Sequence, residues 1–350
     1  MAKRWKHRPE GSNWGDFGDD DQLGRLNLLT PEKVRQGVAE VREGKTFCLS
    51  LPLDYPGGNV LSAARFPPEL RPTYFKNGRP RMNYPLARDN AAFTDVMCDD
   101  AVLIHLQYST QWDALAHMGA LFDADGDGKA ERVYYNGYRA DEHVHGPVTY
   151  ENGQETPGHG MGARALGIET MAETCVQGRA VMVDLFPSVG RARKAVGYDG
   201  MMRAMEADGV TVEKGDMLCL HTGFGRVVLE QNRKPDAETL HGSCAVLDGS
   251  DAKLLRWITD SGIAVLVTDN YAVEHYHRDF TTAHVHGPCA AYPLHEHCLF
   301  KLGLPLGEIW YLSDLADWLR ANKRHKFLMT APPLRLPGAV GSPATPVATV

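Results

Sequence analysis

The sequence lacks both a long apolar run and a regular cysteine pattern. No stretch approaches the roughly 20 apolar residues that a helix needs to cross a bilayer, and no apolar segment follows the basic N-terminus, as a secretion signal would require. Seven cysteines are scattered along the chain without a Cys-x-x-Cys pair, which favours free thiols over a disulfide framework. These absences predict a cytoplasmic protein without a membrane partner.

The motifs of several large enzyme classes are also missing. The chain has no Gly-x-Ser-x-Gly elbow, no phosphate-binding P-loop, no Gly-x-Gly-x-x-Gly fingerprint and no His-Glu-x-x-His pair. This excludes the simplest serine-hydrolase, nucleotide-binding and zinc-peptidase interpretations. The net charge of −7, with no arginine-rich stripe, argues against a nucleic-acid partner. We therefore expect a small-molecule substrate.

The second half of the chain has the pattern of an α/β fold. Short apolar runs predict buried strands at 180–185, 217–221 and 263–267, and Lys326–Thr330 is predicted as a last strand. An earlier strand is predicted from alternation at 46–53. Because no repeat or linker separates these segments, we expect a single domain over residues 1–350.

Three helices are predicted from their ends and their apolar stripes. The first begins at Thr30 and Pro31, ends at Gly44 and has a stripe of Val34, Val38 and Val41. The second begins at Ser250 and ends at Gly262. The third covers 313–322. The inward-facing residues of the last two are predicted to be Leu254, Leu255 and Ile258, and Leu315, Trp318 and Leu319.

Two regions show weak periodicity. Residues 54–100 are rich in Pro, Gly, Arg and Asn and predict a long irregular excursion, of the kind that forms pocket walls or subunit contacts. Residues from 332 onward predict an extended C-terminal tail. We expect part of the excursion to pack on a second subunit, which makes the protein a homo-oligomer.

The segment 107–117 (QYSTQWDALAH) concentrates groups that could perform chemistry. Asp113 is a candidate ligand for a divalent cation, and His117 is a candidate proton carrier because histidine exchanges protons near neutral pH. The same residues also fit a polar loop that leads into a helix, with Asp113 as the helix cap and His117 on the first turn.

Other candidates are weaker. Polar residues at the ends of predicted strands make His221, Asp269 and Glu274 candidate substrate-binding residues. Residues 123–128 resemble the start of a calcium loop, but Tyr134 stands where a glutamate is needed, which favours a solvated turn. His-x-His pairs would place two metal ligands on one face of a strand; they are His143/His145, His275/His277, His284/His286 and His295/His297. The sequence HVHGP occurs at 143–147 and again at 284–288.

Several segments together resemble the cyclase family, which includes the bacterial kynurenine formamidases. The resemblance spans most of the chain and follows the family's order; it rests on 20–29 (DDQLGRLNLL), 177–184 (QGRAVMVD), 215–218 (GDML), 268–274 and 295–312. It implies a swivelling β/β/α fold, a homo-oligomer and one bound divalent ion, zinc or manganese.

The family's metal motif, His-x-Gly-Thr-His-x-Asp-Ala-x-x-His, falls on residues 107–117. The resemblance then assigns the metal aspartate to Asp113 and the proton-transferring histidine to His117. The two metal histidines fall on Gln107 and Gln111, and the downstream ligands fall on His295 and Glu308. A competing register would put Glu296 at the histidine position.

The two glutamines depart from the family pattern. Amide oxygens are weaker zinc ligands than imidazoles, which argues against a two-zinc cluster and against kynurenine formamidase activity itself. The Ser-Thr-Gln-Trp-Asp sequence at 109–113 is similar to that of longer family members, which resemble trans-dienelactone hydrolase.

The resemblance therefore implies metal-assisted hydrolysis of a cyclic amide, a lactone or a related small carbonyl compound. A cation held by Asp113, His295 and Glu308, with help from Gln111, would activate water. His117 would move the proton, and Trp112 would line the pocket. Two alternatives remain open: a metal-free isomerase, cyclase or lyase that uses Asp113 and His117, and a binding protein without catalytic activity.

Overall fold

The computed structural model describes residues 3–151, 154–276 and 287–350, and its main feature is a curled nine-stranded mixed sheet. We number its strands along the chain as β1 (Thr46–Cys48), β2 (Gln111–Asp113), β3 (Gln177–Asp184), β4 (Met217–His221), β5 (Val265–Thr268), β6 (Leu306–Glu308), β7 (Lys326–Thr330), β8 (Gly341–Pro343) and β9 (Val347–Thr349).

The spatial order of the strands is β1-β9-β7-β3-β4-β5-β6-β2-β8. The four central strands, β3 to β6, are parallel, and the strands on either side of them pair antiparallel. Parallel strands end at the same edge of a sheet, where α/β enzymes place their sites. The last residue of β6, Glu308, lies at this edge, and β2 runs beside it.

Helices pack around the sheet. They are α1 (Pro31–Ala39), α2 (Ile168–Glu173), α3 (Phe186–Val189), α4 (Tyr198–Ala207), α5 (Phe224–Glu230), α6 (Ala237–His241), α7 (Ala252–Ser261), α8 (Pro293–His295) and α9 (Ser313–Ala321). Shorter 3₁₀ turns occupy Gly24–Leu28, Leu86–Arg88 and Tyr135–Gly137, and a π-helical turn covers Glu296–Lys301. Among the described segments, every helix is too short or too polar to cross a bilayer.

Small two-stranded sheets lie outside the main one. They pair Glu69–Pro72 with Asp100–Leu103, Tyr84–Pro85 with Val96–Met97, Ala120–Phe122 with Glu131–Val133, Val144–His145 with Gly162–Ala163, Val148–Glu151 with Gln154–Pro157, and Lys194–Val196 with Ala245–Leu247.

The predicted central strands are confirmed, and their continuous apolar sequences follow from burial on both faces. Along β3, Val181 and Val183 pack into one apolar cluster, and Ala180 and Met182 pack into another on the opposite face. β4 and β7 have the predicted bounds. In contrast, β1 ends at Cys48 rather than Leu53.

Helix α1 begins as predicted but buries a different face. The Thr30 side chain accepts a hydrogen bond from the Lys33 amide, which caps the helix. Val38, however, is 55% exposed. The buried residues are Lys33, which pairs with buried Asp216 (2.9 Å), and Gly37, where a Cβ atom would lie 2.8 Å from the backbone of Gly178. Close approach to β3 requires glycine here, so the valine stripe was a wrong prediction.

The other two predicted helices are confirmed with small corrections. Asp251, not Ser250, caps α7, because its carboxylate accepts the amides of Lys253 and Leu254. Gly262 ends the helix in the left-handed conformation, with φ of 65°.

The C-terminal segment is not simply an extended tail. Residues 341–343 form β8, which pairs with β2, and residues 347–349 form β9, which pairs with both β1 and β7. The segment therefore contributes strands on both sides of the sheet.

The excursion, which the structure extends to Leu103, exposes many large apolar side chains. They are Phe66, Leu70, Tyr74, Met82, Phe93, Val96, Val102 and Leu103. Exposed apolar surface of this extent is typical of an interaction site. The prediction that this region contacts a second copy of the chain therefore stands and can be tested directly.

We predict that the double variant Leu70→Glu, Val102→Lys is a monomer, while the unmodified protein is a dimer or larger at micromolar concentration. Leu70 and Val102 are direct partners across the strand pair, so both charges would fall on one face of the contact. Light scattering measures the mass. The matched control is Leu121→Glu, a residue equally exposed but outside the excursion. An unmodified protein that is monomeric would contradict the prediction.

Candidate metal centre

Strands β2 and β6 bring the first candidate ligands together. Their antiparallel register places Gln111 opposite Glu308 and Asp113 opposite Leu306. The Gln111 amide nitrogen lies 3.2 Å from Glu308 Oε2 and 3.4 Å from Asp113 Oδ1, and donates to both. Asp113 thus lies in a strand rather than at the start of a helix, which removes the capping interpretation.

His295 completes the group from the end of α8. One ligand atom from each of Asp113, His295 and Glu308 lies within 4.8 Å of the others, and we call these three residues the donor cluster. His295 Nε2 lies 3.4 Å from Glu308 Oε1. The histidine at the cluster is therefore His295, and the competing register with Glu296 is wrong.

Glu274 contacts His295 on the side of the ring that faces away from Glu308. Its Oε1 accepts hydrogen bonds from the His295 amide (2.9 Å) and from Nδ1 (2.8 Å), while Oε2 accepts from the Leu294 amide (2.8 Å). Because Nδ1 is bonded to Glu274, Nε2 is the nitrogen that faces Asp113 and Glu308. Metal-binding histidines are usually oriented in this way. The prediction that Glu274 binds substrate finds no support in the structure, because the side chain is fully buried and its carboxylate contacts His295 and the Leu294 amide.

Burial and mutual charge set the electrostatics of the donor cluster. Burial raises the pKa of Asp113, and the nearby charge of Glu308 adds to this rise. Burial alone would raise the pKa of Glu308 and lower that of His295. Contacts with His295 instead hold the pKa of Glu308 below its usual value, and hydrogen bonds with Glu274 and Glu308 raise the pKa of His295 to about 10. The cluster therefore attracts positive charge.

Buried oxygens without hydrogen-bond partners indicate whether these residues could bind a cation. Asp113 Oδ2 and Gln111 Oε1 are buried, and neither has a hydrogen-bond partner among the described residues. Buried polar atoms without partners are costly and therefore rare in native proteins. Two carboxylates and an imidazole, with ligand atoms within 4.8 Å of one another, form a donor set that suits zinc or manganese.

His117 lies at the edge of the donor cluster. Its Nε2 is 3.8 Å from Asp113 Oδ1, and its Nδ1 is 3.5 Å from the amide nitrogen of Gln107. Of the two glutamines, Gln111 contacts both carboxylates, whereas Gln107 contacts His117. Gln111 therefore contacts the carboxylates through its amide nitrogen, and Gln107 lies beside His117 rather than beside the carboxylates. The assignment of both glutamines as metal ligands stays a prediction.

A cavity of about 300 Å³ opens onto His117, His295 and Glu308. Its walls include Arg65 and residues 56–62 of the excursion, together with several tyrosines. The sequence pattern did not indicate four of these lining residues, Arg65, Tyr108, Tyr276 and Tyr292. No periodic signal pointed to Arg65, because the excursion has no regular pattern.

Trp112 does not line the cavity. Successive side chains on a strand point to opposite faces, so Trp112 lies on the other side of β2 from its two neighbours. It is fully buried, donates to the Ala331 carbonyl (2.8 Å) and packs edge to face on Trp310. The prediction of a pocket wall is corrected to a core role.

His221 and Asp269 also lie away from the cavity lining. His221 bonds Asp184 through Nδ1 (2.8 Å) and Ser313 through Nε2 (3.1 Å), in a chain that is buried. Asp269 accepts hydrogen bonds from Thr222 and from the Gly223 amide. His221 thus joins the end of β3 to the start of α9, and Asp269 fixes the loop after β4. Because both side chains are buried and neither lines the cavity, the prediction that they bind substrate finds no support in the structure.

The remaining sequence candidates form no second donor set among the described residues apart from an acidic turn. His277, His284 and His286, and with them the second HVHGP sequence, lie outside the described residues. His297 is on a helical turn and bonds Thr259 (2.9 Å). The turn holds Asp123, Asp125 and Asp127, and Asp123 accepts backbone amides from within it.

We predict that Glu274→Gln lowers metal affinity by roughly 10–100-fold, the usual cost of losing the partner of a metal-binding histidine. The variant loses the carboxylate that fixes His295 through Nδ1. Competition with a fluorescent chelator measures the affinity. The matched control is Glu296→Gln, whose affinity should equal that of the unmodified protein. Equal affinities for all three proteins would show that Glu274 does not position a ligand.

Comparisons with known proteins place this chain in a family. The family model described as "Putative cyclase" matches residues 49–275. The crystal structure of a novel cyclase is 27% identical, covers 97% of each chain and superposes with a TM-score of 0.72. Isatin hydrolase A from Labrenzia aggregata (12% identity, 91% of this chain and 98% of that chain) and from Ralstonia solanacearum (14%, 91% and 97%) share the fold, each with a TM-score of 0.51. No curated protein matches the chain. Because the family model covers more than half of the sequence and the mixed α/β fold agrees, the chain belongs to the putative cyclase family.

Proposed function

We propose that the protein is a metal-dependent hydrolase of a cyclic amide, a lactone or a related small carbonyl compound. The observation that carries the proposal is the donor cluster at the wall of a small cavity, with His117 beside it. The names of two similar structures, both isatin hydrolases, support hydrolysis of a ring amide as one form of this chemistry.

One divalent ion, zinc or manganese, fits the residues present. Asp113, His295 and Glu308 would hold it. The Gln111 amide faces the two carboxylates through its nitrogen, so Gln111 Oε1 would become an additional oxygen ligand only if the amide turned over. With glutamine amides instead of imidazoles at positions 107 and 111, the site would favour manganese, the harder of the two cations, over zinc. When bound, the ion supplies Lewis acidity, which lowers the pKa of water and polarises a carbonyl group.

The protein's own groups perform the remaining tasks. Glu274 fixes the ring of His295, and Gln111 donates to both carboxylates and so holds their spacing. His117 lines the cavity and is held by Gln107, where it can accept a proton and return it to the leaving nitrogen or oxygen. Tyrosines and the excursion shield this region from bulk water.

The metal-free alternative has less support. It requires Asp113 to orient His117 through a hydrogen bond, and the 3.8 Å between their nearest atoms is too long for one. The buried, unpartnered oxygen of Asp113 is also better explained as a ligand.

Chelation followed by reconstitution tests the proposal. The protein is purified without an affinity metal, its metal content is measured, and hydrolysis is assayed on phthalimide, isatin and simple lactones. We expect one ion per chain, loss of hydrolysis after chelation and recovery with zinc or manganese. Hydrolysis that survives complete removal of metal would overturn the metal role. A metal-loaded protein that opens none of the rings would overturn the substrate class.

A further inference from the structure

Arg65 is a cation without an acidic partner at the cavity. One of its terminal nitrogens donates to the Gln107 carbonyl (2.8 Å), which anchors the side chain at the cavity wall. Among the ion pairs of the described residues, none involves Arg65, whereas Arg71 pairs with Glu69 and Arg81 pairs with Asp99 in the same excursion. A guanidinium has five N–H donors, so most of those of Arg65 remain available to a ligand.

Among the residues that line the cavity, Arg65 is the positively charged side chain and Glu308 is the negatively charged one. A divalent cation offsets the two carboxylates of the donor cluster, and Glu274 lies behind His295, where three N–H groups satisfy it. Arg65 then remains as the uncompensated charge in the lining.

The walls around Arg65 suit a flat ring. Tyr108 is fixed there by hydrogen bonds to the Gly57 amide (2.9 Å) and the Gly58 carbonyl (3.0 Å). The rings of Tyr276 and Tyr292 lie 4.8 Å apart at another wall. Aromatic walls with a few polar groups are typical of sites for small cyclic ligands.

We propose that Arg65 binds a carboxylate of the substrate, so that the substrate class is a cyclic amide or lactone bearing a carboxylate group. This inference rests on the proposed function and specifies its substrate. The carboxylate would accept paired N–H bonds from the guanidinium and so direct the ring carbonyl toward the donor cluster and His117.

A single remaining positive charge matches a monoanion. A phosphate ester carries about two negative charges at neutral pH, so its second charge would face the buried carboxylates without a partner. For this reason the charge balance favours a carboxylate over a phosphate.

Matched substrates test the proposal by kinetics. Hydrolysis of 5-carboxyphthalimide and of its 5-carboxamide is compared in the unmodified protein, Arg65→Met and Arg65→Lys. We expect the acid-to-amide ratio of kcat/KM to fall by roughly 10–100-fold in Arg65→Met, mainly through KM, which is the usual worth of a charged hydrogen bond. Arg65→Lys should restore part of the ratio. Arg71→Met is the matched control, with an unchanged ratio.

Two outcomes would overturn it. An equal loss on both substrates would show that Arg65 acts on the reacting carbonyl or holds Gln107. An unchanged ratio would show that it does not recognise the anion.

Binding experiments separate this proposal from the hydrolase assignment. Benzoate and benzamide are titrated by calorimetry into the unmodified protein, Arg65→Met and the metal-site variant Asp113→Asn. Preference for benzoate that persists in Asp113→Asn and disappears in Arg65→Met supports the proposal even if no ring is opened. Preference that disappears in Asp113→Asn and persists in Arg65→Met would mean that the metal binds the anion, and would overturn it.

Discussion

Asp113→Asn is expected to remove the bound metal and to reduce hydrolysis by roughly 10³-fold or more. Lewis-acid stabilisation of a transition state is worth several kcal/mol, and each 1.4 kcal/mol or so is a factor of ten in rate. The substitution preserves shape and removes a carboxylate that is 0% exposed and faces Glu308 and His295. Metal content by mass spectrometry and turnover on the same sample provide the measurement.

Stability distinguishes this effect from simple damage. Because burial and Glu308 raise the pKa of Asp113, its charged form is unfavourable in the metal-free protein. Metal-free Asp113→Asn should therefore melt no lower than the metal-free unmodified protein. Asp127→Asn, in the exposed acidic turn, is the matched control and should keep both metal and activity. A folded Asp113→Asn protein with full metal content would exclude Asp113 as a ligand.

His117→Ala is expected to reduce turnover by roughly 10²–10⁴-fold, the usual contribution of a general acid or base, while the metal content stays the same. His117 lines the cavity 3.8 Å from Asp113, but it lies outside the donor cluster. The measurements are turnover and metal content, with the exposed His159→Ala as control.

Loss of the metal from His117→Ala would change the assignment in a defined way. His117 would then be a ligand that compensates for the glutamines at 107 and 111. Unchanged turnover with normal metal content would exclude His117 from proton transfer.

The central sheet could be predicted because its strands carry a strong local signal. β3, β4 and β5 are buried on both faces, so each contains a continuous apolar run: AVMV in β3, MLCL in β4 and VLV in β5. The outer strands β8 and β9 carry no such signal. Their three-residue sequences, GSP and VAT, become strands through pairing with distant segments, and no local pattern records such a pairing.

The candidate site was predictable to a different degree. Asp113, His295 and Glu308 were assigned through the family resemblance, and the structure brings their side chains together. Glu274 was placed near the site but given a substrate role, because sequence position does not tell whether a carboxylate faces the cavity or supports a ligand from behind.

Three further differences between prediction and structure have separate physical causes. The position of Trp112 could have been predicted, since period-two alternation places it opposite Gln111 and Asp113. Arg65 could not, because its only relation to the site is through the tertiary fold of an irregular segment. The burial of Gly37 instead of Val38 depends on the close contact of α1 with Gly178, which is also a tertiary effect.

The position of the C-terminal strands bears on how the chain folds during synthesis. Thr46 pairs with Thr349, so β1 cannot pair with β9 until almost the whole chain has left the ribosome. The same delay affects β2, which carries Asp113 and pairs on one side with residues 341–343. Contacts this distant in sequence carry a large loop-closure cost and form slowly. A nascent chain truncated before residue 341 would thus lack the outer strand beside the metal ligands, and its exposed strand edge would be a target for chaperones.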